Sequence, residues 1–480
     1  MKYLYKIKQL LKKVFKIVLP TYHYLWSILS SYYYKRPSDK LIVIGVTGTT
    51  GKTSSVYLIA KTLRESGFKV GYSSTAMFSD GNDDWLNTKK MTMPGRSFTQ
   101  HLIKKMLKNN CTYAVIETTS EGIRQFRHVG VNYDLLIFTG LFPEHIESHG
   151  SFEKYKKAKQ KLFKYLKSCK IKYTDDEHRV VAKPSKLKSL ELNKVKKTII
   201  ANGDDQHAPD FLKFWAQAKI AYTHKSQDEY LEILQDENKV LAKELEILSY
   251  NNILVSNKGT SFRVNNKEIN LQLLGEFNVS NVLNVVAVGE VRNISFEKIR
   301  ASLESIKGIP GRLEQIREGQ DFLCIVDYAY EPRALQKLYD TVEVLRDYPK
   351  LGTNGKIIHV LGSAGGGRDK DRRPELGKIA AQNADYVIVS NEDPYDEDPM
   401  EIIRQVAKGA VDAGKKPKEN LFEILDRREA IRKAISLAQA NDIVLLTGKG
   451  SEQAICMANG KKFKWDERVV ARDEILSKLK

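Results

Sequence analysis

Apolar residues in this chain come in short runs that stop at polar, glycine-rich or acidic loops. The first run, Leu41-Ile42-Val43-Ile44-Gly45-Val46, enters Thr47-Gly48-Thr49-Thr50-Gly51-Lys52-Thr53-Ser54, and residues 55–60 then follow a helical period. This order predicts a strand, a loop and a helix. Further β-branched runs at residues 113–116, 135–138 and 198–200 alternate with helical patterns, which predicts a largely parallel sheet with helices on its faces. Residues 247–274 alternate in short stretches such as Ser261-Phe262-Arg263-Val264, consistent with a small antiparallel addition. A break falls at Gly308-Ile309-Pro310-Gly311. Beyond it, runs at 322–326, 357–361, 386–389 and 443–446 each end in a polar loop, predicting a second, Rossmann-like α/β unit. The expected division is a segment 1–40, a nucleotide-binding unit 41–308 and an acceptor-binding unit 309–480, with a cleft between the two units.

Two stretches depart from this regularity. At 100° per residue, Tyr3, Leu4, Ile7, Leu10, Leu11, Val14, Phe15, Ile17 and Val18 share one helical face, while Lys6, Lys8, Lys12, Lys13 and Lys16 share the other, and Pro20 ends the pattern. Residues 17–34 carry Tyr22, Tyr24, Trp26, Tyr32, Tyr33 and Tyr34 and no Lys, Arg, Asp or Glu, but Pro20, His23 and three serines make them a poor transmembrane span. Two readings stand: peripheral contact of residues 1–34 with an anionic membrane surface, or a helix docked on the protein's own catalytic domain. The second stretch, residues 152–166, is a lysine-rich helix. Lys154, Lys156, Lys157, Lys161 and Lys164 point to solvent, but Lys159 falls on the apolar stripe of Tyr155, Leu162 and Leu166. A lysine there is either a snorkelling stem or a group that has found a partner, lost its proton or been modified.

Composition narrows the class. The net charge of +19 resides in two places: residues 1–40 hold nine Lys/Arg and one acid, and residues 151–200 hold sixteen Lys/Arg and five acids. A nucleic-acid enzyme would more often place basic residues beside its active-site motifs, so no nucleic-acid partner is expected. The four cysteines, Cys111, Cys169, Cys324 and Cys456, lack zinc or disulfide spacing and fit a reducing, cytoplasmic setting; contact with the inner membrane face belongs to the first of the two readings of the basic terminus.

The loop at 48–54 carries the first chemistry. Backbone N–H groups of Gly48, Thr49, Thr50 and Gly51 at a helix start suit an anion, Lys52 supplies a point charge for phosphates, Thr53 supplies a hydroxyl for Mg²⁺, and Ser54 completes the cofactor-binding loop. Val46 stands where the usual phosphate-loop pattern has its first glycine. Glu117 and His145 follow neighbouring strands; each is a metal-binding candidate at one sheet edge or a satisfied structural polar residue.

Taken in order, TGTTGKTS, ETTSEG, EHIESHGSFEKYKKAK, GEFNVSNVLN, GIPGRLE, VDYAYEP, GGGRDKDRRP, NEDP and TGKGSE resemble the Mur ligases over about residues 41–475, and among them the tripeptide-synthetase branch. The resemblance implies an ATP- and Mg²⁺-dependent, ADP-forming ligase of peptidoglycan synthesis. It phosphorylates a muramyl-peptide carboxylate, and an amino acid's amine attacks the acyl phosphate. It implies that Lys52 holds the β/γ-phosphates and that Thr53, Glu117 and His145 serve the metals. Lys159 matches a lysine N-carboxylated in the family. Asn278 and Asn281 match positions near adenine, and Arg312 and Asp327 positions that reach the nucleotide. Thr92, Ser120, Gln125 and Arg127 match muramyl-peptide positions, and Arg368, Asp393, Pro394, Tyr395, Gly448 and Glu452 the amino-acid pocket. This sequence departs from the family in having only about 40 residues before the first strand, where a uridine-binding domain is usual. It also has Tyr395 where arginine would bind a distal carboxylate, which disfavours diaminopimelate. Alternatives are an amidating ligase acting on lipid-linked muropeptide, a folylpolyglutamate-type ligase and, outside the class, a basic phosphate-loop protein that binds nucleic acid.

Overall fold

The structure, a computed structural model, describes residues 19–144, 146–181, 192–237, 244–256, 258–346, 355–367 and 370–480. Residues 1–18, which hold the cationic amphipathic pattern, lie outside these, as do His145 and Arg368. The first sheet has eleven strands, with Ile42–Thr47 near its middle, paired in parallel to Tyr113–Glu117 on one side and Leu135–Phe138 on the other. All of Ile42–Thr47 is buried, as a strand covered on both faces must be. The register sets Val46 opposite both Glu117 and Ile137, so the polar loops that follow these strands emerge at one edge. Leu245–Ser256 pairs in parallel with Ala218–Thr223 through its first half, and its second half forms the expected antiparallel addition with Gly259–Val264 and Lys267–Leu271 at one end of this sheet.

A second sheet runs Glu314–Ile316, Leu323–Val326, Ile443–Leu446, Ile357–Leu361, Tyr386–Ser390 and Leu421–Ile424, parallel except at its first edge. Four of these strands lie where the apolar runs place them. The edge strands and the short strands Val70–Ser73, Met77–Ser79 and Asp84–Leu86 of the first sheet carry too few residues for a period to register.

The aromatic segment is helical over residues 19–33, Pro20 included. Its docked stripe is not the apolar one. His23, Ser27, Ser30, Ser31 and Tyr34 face inward, while Tyr22, Leu25, Trp26, Leu29, Tyr32 and Tyr33 are 45–79% exposed. Small serines let this helix approach closely: Ser31 Oγ donates to Gly130 O at 3.0 Å, and a Cβ on Gly130 would lie 2.6 Å from Ser31 Cβ. Tyr24 packs edge-on against Phe126, and Trp26 Nε1 donates to Ser97 Oγ at 3.1 Å. The described part of the amino-terminal segment is therefore docked on the first α/β unit. No helix among the described residues is long and apolar enough to cross a membrane.

One buried charge cluster ties the first strand to its neighbours. The Asp134 carboxylate accepts from Val43 N at 2.8 Å, Lys172 Nζ at 2.5 Å and Lys197 Nζ at 2.8 Å, all three side chains being shut off from solvent.

Candidate functional site

The loop between Ile42–Thr47 and the helix Lys52–Glu65 turns through Gly51, whose φ of +77° puts it in the left-handed region just before the helix. Glycine is required there twice over, because a Cβ would also lie 2.6 Å from Asn281 Oδ1. The first turn of Lys52–Glu65 holds no acid, so its free N–H groups and positive dipole end face the cleft unopposed. Lys52 Nζ donates to Thr49 O at 2.6 Å, folding its charge back over the loop. We expect Gly51→Ala to weaken ATP binding by about tenfold, the equivalent of about 1.4 kcal/mol for forcing an L-residue into this conformation. A nucleotide titration checks this, and unchanged affinity would show that the loop relaxes freely.

Glu117 ends its strand beside the loop. Its carboxylate accepts from Thr53 Oγ1 at 2.9 Å, Thr75 N at 2.8 Å and Thr75 Oγ1 at 2.9 Å. Lys159, 1% exposed, reaches the loop from below and donates to Gly48 O at 2.6 Å, with its ammonium 4.6 Å from the Tyr155 ring centre. Burial and then the neighbouring Lys52 charge drive its pKa well below the ordinary lysine value, against the pull of Glu144 and Glu117. A snorkelling stem is excluded, since the head group itself is buried. Tyr155 hydroxyl lies 3.2 Å from Thr49 Oγ1, so one helix face supports the loop through two side chains.

A cavity of about 660 Å³ lies between the two sheets' loop edges. From the first unit, Thr49 through Ser54, Thr92, Glu117, Ser120, Gln125 and Arg127 line it. From the second come Arg312, Asp327, Asp393, Gly448 and Glu452. Thr92 Oγ1 is 2.7 Å from Thr75 Oγ1, Ser120 Oγ is 3.2 Å from His149 Nε2, and Arg127 donates to Gln125 Oε1 at 2.6 Å. Asp327 accepts from Leu313 N at 2.8 Å and Ala329 N at 2.7 Å, and burial raises its pKa despite nearby Arg312. Arg312 stacks over Tyr328 at 4.3 Å.

Not every predicted residue reaches the cavity wall. Gly48 and Lys159 stand behind the loop, and Asn278 stands behind Asn281, to which it is bonded at 3.0 Å. Pro394 and Tyr395 lie outside the lining; the Tyr395 ring lies against Gly366, and its backbone φ is +52°. His145 and Arg368 are outside the described residues.

Lining residues given no role from the sequence include Lys90, His149, Asp205 and Tyr328, together with Tyr330, which stands where the related ligases commonly have histidine. Tyr330 hydroxyl donates to Glu144 at 2.7 Å across the cleft, and Tyr328 hydroxyl to Glu452 at 3.2 Å. Glu392, buried under Gly448, has one oxygen without a partner among the described residues, and burial raises its pKa.

Among the described residues no group of three His, Cys, Asp or Glu side chains is placed to hold a metal ion. The oxygen donors of Thr53 and Glu117, beside a positively flanked phosphate loop, nonetheless fit a hard cation such as Mg²⁺, which takes one or two protein oxygens and completes its shell from phosphates and water.

The Mur ligase middle domain matches residues 46–289, and the Mur ligase glutamate ligase domain matches residues 311–450. The UDP-N-acetylmuramyl-tripeptide synthetase of Borreliella burgdorferi is 35% identical over 455 residues, covering 94% of this chain and 80% of that protein. The UDP-N-acetylmuramoyl-L-alanyl-D-glutamate–2,6-diaminopimelate ligase of Halalkalibacterium halodurans is 30% identical, covering 92% and 80%. A solved structure of a ligase with that same diaminopimelate activity in its title is 25% identical, with a TM-score of 0.52 over 92% of this chain and 79% of that one. The folylpolyglutamate synthase of Mycobacterium tuberculosis complexed with ADP shares the fold at a TM-score of 0.60 and 15% identity, over 90% and 92%.

Proposed function

The chain belongs to the Mur ligase family, and from that premise we propose that it joins an amino acid to the terminal carboxylate of a muramyl peptide, as a tripeptide synthetase does. The observation that carries this reading is the single cleft that brings the phosphate loop of one sheet against the acid-lined loops of the other. Two anions and an amine need such a place, because a carboxylate is a poor electrophile until it is phosphorylated.

ATP would supply the phosphoryl group that turns a carboxylate oxygen into a leaving group, and Mg²⁺ would neutralise charge along the transfer path. Lys52 and the free N–H groups of the helix start would hold phosphate oxygens, and Thr53 and Glu117 the metal. Lys159, as an N-carboxylated side chain, would add an anionic oxygen donor beside Glu117. Its burial and depressed pKa support this, since only the neutral amine attacks CO₂, losing a proton as the C–N bond forms. Thr92, Ser120, Gln125 and Arg127 would position the muramyl peptide, and Asp393, Gly448 and Glu452 the amino acid. The cross-cleft pair from Tyr330 to Glu144 supports a closed arrangement that keeps water from the activated carboxylate.

The test is ADP release with UDP-muramyl-dipeptide, screened across lysine, ornithine, diaminopimelate and ammonia. Release that depends on one of the three amino acids is the expected result. Release with ammonia alone would move the enzyme to amidation, and no release with any of them would end the ligase reading.

We further propose that the protein contacts an anionic membrane surface through its amino-terminal segment. The outward aromatic face of residues 19–33 and the six lysines, with no acid, in residues 1–18 support this. Deleting residues 1–18 is expected to abolish co-sedimentation with vesicles containing anionic phosphatidylglycerol while leaving ligation in solution unchanged. Equal sedimentation of both forms would refute it.

A further inference from the structure

The amino-acid side of the cleft is already occupied by a residue of the opposite domain. Lys90 crosses from the loop before Thr92 and places its ammonium between Asp393 Oδ2, at 2.8 Å, and Glu452. All but 6% of its side chain is shielded from solvent, and so is that of Asp393. Nothing in the loop's sequence forces a lysine inward, and its own backbone stands at φ +56°, a conformation L-residues rarely adopt. The ion pairs hold the loop in that conformation, together with a bond from Lys462 Nζ to Lys89 O at 3.3 Å.

Charge decides what this site holds. Asp393 and Glu452 carry two negative charges, and two lysines meet them. Lys449 is a permanent member: it is fully buried and fixed by Asp393 Oδ1 at 3.0 Å, Glu452 Oε2 at 2.8 Å and Ala454 O at 2.8 Å, all from its own domain. Lys90 is the removable one, reaching the site from a loop of the other domain. When it withdraws, one negative charge is left uncompensated in a site screened from water, which demands a cation in return. Burial opposes the Lys90 charge, yet Glu452 and Asp393 more than offset this and raise its pKa above the ordinary lysine value.

We infer that Lys90 is an internal competitor for the ammonium subsite of Asp393 and Glu452, so that an amino acid with a cationic side chain enters only by displacing it. This rests on the ligase reading above and adds a specificity-setting residue to it. The loop also gives the displacement a trigger. Thr92 lies two residues on and is bonded to Thr75, whose backbone and hydroxyl hold Glu117, and Arg127 donates to Met93 O. A muramyl peptide seated on Thr92 and Arg127 would pull on the segment that carries Lys90, linking arrival of the first substrate to admission of the second.

Equilibrium dialysis of radiolabelled lysine, ornithine and diaminopimelate against the full-length protein tests this without turnover. Lys90→Met is expected to bind its preferred amino acid about tenfold more tightly than wild type, and its KM for that amino acid should fall by a similar factor. Lys90→Arg, which keeps the competing cation, should bind as wild type does. Equal or weaker binding by Lys90→Met, or no binding of any of the three, would overturn the inference, the former result making Lys90 a closing latch instead. Wild-type ADP release is measured in parallel. Its absence would count against the ligase reading alone, since the dialysis comparison stands without it.

Discussion

Lys159→Ala is expected to lower turnover on the order of 10³-fold, the scale of removing one preorganised electrostatic group from a transfer site, while the protein stays folded. The expectation follows from where the amine sits: buried, against Gly48 O of the phosphate loop, with Lys52 and Glu117 close enough to act on its charge. A purely mechanical role competes with it, in which the lysine props the loop through its bond to Gly48 O. Lys159→Arg separates the two. Arginine keeps a cation and a donor but forms no stable carbamate, so the variant should be as inactive as Lys159→Ala if an anionic oxygen is what the site needs. Wild-type activity should fall on removal of CO₂ and return with bicarbonate, and ¹³C-bicarbonate should give a carbamate resonance that Lys159→Ala lacks. Near-normal turnover in Lys159→Ala would sink the metal-binding assignment, and an active Lys159→Arg would leave the prop.

Why this lysine was visible in the sequence, and others were not, has a physical reason. Lys159 stood out because a helix repeats every 3.6 residues, so one cation among Tyr155, Leu162 and Leu166 breaks a local pattern. The phosphate loop was visible for a similar reason: strand, glycine turn and helix start are neighbours in the chain. Lys90 had no such signal. Its partners lie 303 and 362 residues away, and in its own polar loop a lysine is unremarked. The helix over 19–33 left both readings open in the sequence, since its apolar face points outward and its docking depends on serines small enough to meet Gly130. Periodicity reports which side of a helix is apolar. It does not report which side finds a partner.

Asp134 is the strongest case of a residue without a local signal, and its removal is expected to have the largest effect on stability. Asp134→Asn preserves size and a hydrogen-bonding oxygen but removes the one carboxylate among the described residues that meets Lys172 and Lys197. Both lysines are buried, and burial already drives the Lys172 pKa below its ordinary value even with Asp134 and its charge present. Among the described residues their remaining acceptors are the backbone carbonyls of Leu41, Asn132 and Tyr133 and the Asn132 side-chain oxygen, which cannot neutralise two ammonium groups. Breaking a buried ion pair from one side costs about 3–5 kcal/mol, which lowers the melting temperature by about 10 °C in a unit of this size. The loss should persist at high salt, because the cluster is out of reach of screening ions. It should also reach the active site, since Asp134 accepts from Val43 N and so fixes the strand that presents the phosphate loop. Combining Asp134→Asn with Lys172→Met and Lys197→Met should recover most of the stability, as apolar groups of similar volume replace unpaired charge. A loss below about 1 kcal/mol in the single variant, typical of exposed pairs, would mean that water reaches the two lysines and that the cluster is not what holds the first strand in register.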